Sequence, residues 1–170
     1  MYKKLNYEIH IGNLIRDKLE EDGRKVEWLA KKIHCNRDNI YKMFDRKFID
    51  TAKLLMISVV LKVNFPAYFS ELYCNTKNEK NSINDKCCVI LQDEMHIGKL
   101  IKKKLEDDGR KVVWLANKIH CNRRNIYDIF DRSSIDTELL LRISLVLNTN
   151  FFAYLSEYYQ NMMNVLDTTF

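Results

Sequence analysis

The side chains that could carry chemistry in this chain come in pairs. His10, His34, His96 and His120 are candidates for proton transfer, and Cys35 and Cys121 for thiolate or metal chemistry. Each has its counterpart at a separation of 86 residues. Nucleophilic catalysis needs a base within reach of an activatable nucleophile, and no Ser, Cys or carboxylate recurs with the histidines at a useful spacing. Zinc sites call for two or more Cys/His pairs at short spacing. His34-Cys35 and His120-Cys121 are adjacent pairs in different parts of the chain. The runs Glu20-Glu21-Asp22 and Asp107-Asp108 precede a glycine and read as solvated helix ends. With four glycines in all, no phosphate-cradling loop can be built. The expectation is a protein that is not an enzyme, with no cofactor and no metal.

The pairing extends well beyond those residues. Residues 10–73 recur as residues 96–159, with 44 of 64 positions identical and 20 different. The differences leave the apolar pattern of the framework in place, and several of them change charge. Asp38 stands against Arg124, Lys42 against Asp128, and Glu27 against Val113. Arg37/Arg123, Asn36/Asn122, Asn39/Asn125 and Tyr41/Tyr127 are unchanged between them. The organisation expected is residues 1–74 as one domain, 75–95 as a polar linker, and 96–170 as a second domain. Units of this size bury about 60% of their unfolded surface and can fold alone.

Each copy must supply elements that position these residues, and each reads as five helices. Ile11, Leu14, Ile15 and Leu19 lie on one face of a first helix, which Gly23 can stop in the left-handed region. Val26, Leu29, Ala30 and Ile33 form a short second helix. Asn36 is a good N-cap for a third, carrying Ile40, Met43 and Phe44. Asp50 caps a fourth through Leu54, Leu55, Ile57, Val60 and Leu61. Asn64 caps a fifth, with Pro66 in its first turn, where a missing N–H costs nothing. No segment within a copy alternates with period two, so the fold class is all-α. Between the copies, Asn75–Lys86 holds one apolar residue and should be mobile, while Cys88–Leu91 should dock as a short strand or arm. The tail, Gln160–Phe170, extends the last helix through Met162, Met163 and Val165.

The segment Val26–Phe44 combines a short helix, a tight turn and a second helix, with small Ala30 where two helices must cross closely. It resembles the helix-turn-helix of the lambda-repressor-like, or Cro/XRE-type, transcriptional regulators, and the resemblance covers both copies. It implies two tandem five-helix lambda-repressor-like domains. His34 and His120 stand where that family usually has Gly in the turn; histidine is among the non-glycine residues enriched at positive φ. Lys25-Val26 stand where the family favours a Ser or Thr cap followed by Gln.

In that family the third helix lies in the major groove and reads base edges. Carried over by position, the base-reading residues are Arg37, Asp38 and Lys42 in the first copy, and Arg123, Arg124 and Asp128 in the second. Arg and Lys can donate to guanine, and Asp can accept from cytosine. Asn36, Asn39 and Tyr41, with Asn122, Asn125 and Tyr127, form a second tier. Arg24, Lys25 and Arg46, with Arg110, Lys111 and Arg132, flank the reading helix where phosphates pass. Trp28 and Trp114 read as core against the first helix.

The partner this implies is double-stranded DNA, bound by a transcriptional regulator that acts as a covalent pseudo-dimer on an asymmetric pair of half-sites. Half-sites one turn apart are about 34–36 Å from centre to centre, and residues 74–95 have a relaxed span of about 25 Å. The net charge of +5 permits a polyanion partner. No stretch approaches the length of a membrane span, no signal-peptide core opens the chain, and the repeat-equivalent Cys35 and Cys121 suit small buried thiols in a reducing cytoplasm. The alternative is an antitoxin-like or scaffold module that keeps the fold and contacts a protein partner, or a further copy, through the apolar faces of its fourth and fifth helices.

Overall fold

His10 begins the first helix, α1 (Ile11–Glu21), by accepting the Asn13 amide on its Nδ1 at 3.2 Å. His96 does the same for Lys99 at the start of α6 (Ile97–Asp107). Two of the four histidines are therefore helix caps. In a computed structural model that describes residues 9–77 and 95–168, the described residues form ten helices and no strand. α2 (Val26–Lys32), α3 (Arg37–Phe44), α4 (Thr51–Leu61) and α5 (Phe65–Lys77) complete the first half. α7 (Val112–Ile119), α8 (Arg123–Phe130), α9 (Thr137–Leu147) and α10 (Phe151–Thr168) complete the second.

The boundaries follow from local chemistry. Gly23 and Gly109 end the first helices at φ 61° and 63°, where glycine carries no Cβ penalty. Asp50 and Asp136 cap α4 and α9 through the amides of Ala52 and Glu138. Asn64 accepts the Ala67 amide at the start of α5. Asn36 and Asn122 sit at the N-cap of α3 and α8, but neither side chain makes a capping bond, contrary to the role expected of Asn36. α5 runs on to Lys77, so residues 75–77 are helical rather than part of a linker. The arm expected at Cys88–Leu91 lies outside the described residues. The last helix extends through the tail to Thr168.

Gly12 and Gly98 have a role the sequence did not disclose. A Cβ at Gly12 would collide with the carbonyl oxygens of Met43 and Phe44, and one at Gly98 with those of Ile129 and Phe130. The Gly12 amide donates to Arg46 at 3.0 Å, and Gly98 to Arg132 at the same distance. The start of the first helix thus rests directly on the end of the third, fixing where the third helix points.

The halves are packed together as well as joined by chain. Thr51 N–H donates to the Ile135 carbonyl, and Thr137 N–H to Ile49, both at 2.9 Å. The threonine hydroxyls accept the Ile135 and Ile49 amides in return, at 3.2 and 3.1 Å. Asn64 Nδ2 donates to Ser156, and Asn150 Nδ2 to Ser70, each at 2.7 Å. Every one of these contacts has its mate 86 residues away, which is the signature of an isologous, two-fold interface. Phe69 stacks on Phe152 at 4.9 Å, and α5 and α10 form the centre of a core that runs through both halves. Packing, rather than linker reach, sets the spacing of the halves.

Candidate nucleic-acid interface

Ala30 and Ala116 are buried where α2 meets α3 and α7 meets α8. The turn between these helices is made by His34 and His120, at φ 52° and 55°. The left-handed turn expected at histidine is present in both copies. Cys35 and Cys121 follow it, donating their amides to Ala30 and Ala116. Their thiols are half-buried rather than fully inside, and burial pushes the Cys121 thiol up. Ile40, Met43 and Phe44 anchor α3 in the core, as Ile126, Ile129 and Phe130 anchor α8.

With one face of each third helix fixed, the other faces solvent. Arg37, Asp38, Asn39, Tyr41 and Lys42 are exposed on α3, and Arg123, Arg124, Asn125, Tyr127 and Asp128 on α8. Asn36 and Asn122 are exposed at the caps, and Lys25 and Lys111 occupy the N-cap positions of α2 and α7. Arg46 and Arg132 are exposed just past the third helices. Arg24 lies 4.1 Å above the Trp28 ring and 3.7 Å from Asp22, and Arg110 repeats this with Trp114 and Asp108. Trp28 and Trp114 are partly buried against the core, each carrying an arginine on its outer face. Arg24 and Tyr41 share an open cleft of about 320 Å³ with Arg16, which the sequence did not single out.

Two further residues acquire their roles from the geometry. Glu27 on α2 forms an ion pair with Arg37 at 2.9 Å. Its own backbone N–H, and then the Arg37 guanidinium, hold its carboxyl below the usual glutamate value. In the second half Val113 stands at that position, and Arg123 instead donates to the Tyr127 hydroxyl at 3.3 Å. Arg142 donates to the Ile119 carbonyl at 2.7 Å, closing the end of α7 beside the turn. Its counterpart, Met56, is an exposed side chain without that function, and α2 is one residue shorter than α7. The charge difference at Glu27/Val113 and the apolar-to-basic change at Met56/Arg142 were the only signals in the sequence.

Arginines, lysines and amides on an exposed helix face can donate to phosphate oxygens and base edges. Among the described residues no group of His, Cys, Asp and Glu is placed to hold a metal ion, and no helix is long and apolar enough to cross a membrane. Comparison with protein-family models, with curated proteins and with solved structures finds no match to this chain.

Proposed function

We propose that the chain is a sequence-specific double-stranded-DNA-binding protein, a cytoplasmic transcriptional regulator built from two lambda-repressor-like helix-turn-helix domains acting as a covalent pseudo-dimer. The single observation that carries this reading is the repeated exposed face of α3 and α8. On each, polar and charged side chains point outward from a helix that is anchored by buried residues and preceded by a left-handed turn. The reciprocal contacts between the halves support the pseudo-dimer, because a two-fold arrangement of reading helices matches the arrangement of paired half-sites.

The same contacts weaken the protein-partner alternative. The apolar faces of α4 and α5 that it would use are covered by α9 and α10 of the same chain, with Phe65, Phe69 and Tyr73 buried. The testing experiment is a salt titration of the full chain on duplex DNA. Six to ten phosphate contacts should lower affinity about 10³–10⁵-fold between about 50 and 200 mM salt. A slope near zero, or no binding at low salt, would return the protein-partner reading.

A further inference from the structure

The two exposed faces are not equivalent electrostatically, and the difference centres on one position of the second helix. At the start of α3, Arg37 is flanked by Glu27 and Asp38, and these three residues sum to −1. At the start of α8, Arg123 is flanked by Val113 and Arg124, which with it sum to +2. Lys42 and Asp128, one turn further on, reverse in the opposite sense and leave 0 against +1. Geometry makes the difference specific. The Glu27 carboxylate holds Arg37 at 2.9 Å with both side chains about half exposed. Val113 is 45% exposed and offers Arg123 nothing, so that guanidinium rests on a neutral phenol at 3.3 Å.

A phosphate or a guanine approaching Arg37 must displace an ionised carboxylate, an acceptor that carries the same charge as the phosphate and more than the neutral base. One approaching Arg123 displaces only a hydroxyl. We propose that Glu27 is a built-in competitor for Arg37, so that the face of α8, where Val113 replaces it, engages DNA more tightly than the face of α3. This rests on the DNA-binding reading and assigns unequal roles to its two halves. Glu27 is a positioning residue, acting through Arg37 rather than on DNA.

The test is a double-mutant cycle on the full chain, using a duplex of about 30 base pairs, long enough for two half-sites one turn apart, recovered by selection with the wild-type protein. Exposed ion pairs are weak, so Glu27→Val should tighten binding about two- to fivefold. It should steepen the salt slope by about one unit. In an Arg37→Met background the same change should have no effect. Val113→Glu should weaken binding by a similar factor, and Arg123→Met should cost more than Arg37→Met. Equal tightening by Glu27→Val in both backgrounds would mean a general charge effect and overturn the proposal. So would equal losses for Arg37→Met and Arg123→Met. Failure of the wild type to bind any duplex is a different outcome, which removes the DNA-binding reading itself.

Discussion

Thr51 holds Ile135 of the opposite half with two hydrogen bonds, donating its amide to the Ile135 carbonyl and accepting the Ile135 amide on its hydroxyl. Thr137 and Ile49 repeat the arrangement. All four residues are buried. Two short segments, identical in both copies, therefore join the halves through buried hydrogen bonds.

Thr51→Val should cost about 1–3 kcal/mol, because the Ile135 amide would be left buried without an acceptor. Urea unfolding of the full chain is the measurement. Since the halves share one core, a single cooperative transition is expected for both wild type and variant. Two separate transitions, or an unchanged midpoint in the variant, would contradict this view of the interface.

Gly12→Ala should be more damaging than Gly23→Ala. At Gly12 the added methyl meets backbone carbonyls that cannot yield, whereas around Gly23 nothing lies within 4 Å. The first change should cost about 3 kcal/mol, the upper end for over-packing. The second costs only the left-handed backbone, about 1–2 kcal/mol. Thermal melting of the two variants gives the order. A Gly12→Ala protein as stable as Gly23→Ala would mean that α1 does not press on the end of α3.

Arg142→Met should remove the bond to the Ile119 carbonyl and destabilise the chain by about 1 kcal/mol. Met56→Arg, the reciprocal change, should let the first half gain the same bond to Ile33. Hydrogen exchange at the turn after each second helix reports both effects locally. Slower exchange near His34 in Met56→Arg is expected; no change there would show that the two turns differ for another reason.

Much of this architecture was legible from residue types at local spacing. Asp50, Asn64, Gly23 and the turn histidines act within three or four residues of themselves, so the sequence alone carries their roles. The exposed positions of α3 and α8 followed in the same way from the buried Ile40, Met43 and Phe44. What escaped is what depends on through-space neighbours. Glu27 and Arg37 are ten residues apart on different helices, and Gly12 is tight only because α3 ends against it. The apolar faces of α4 and α5 were visible, but periodicity says that a face is apolar and not what covers it. Asn36 shows the converse: a residue suited to capping occupies the cap and leaves its side chain exposed.

The central claim is that two diverged faces, Arg37/Asp38/Lys42 and Arg123/Arg124/Asp128, read DNA as an unequal pair. Random-site selection on duplex DNA with the full chain tests it most directly. The account predicts enrichment of one site with two different half-sites about one helical turn apart. It also predicts a shift toward a symmetric site when Asp38→Arg and Lys42→Asp give the first half the second's residues, with each altered base contact contributing about 1–3 kcal/mol. A palindromic site selected by the wild type, or no enrichment at all, would contradict it.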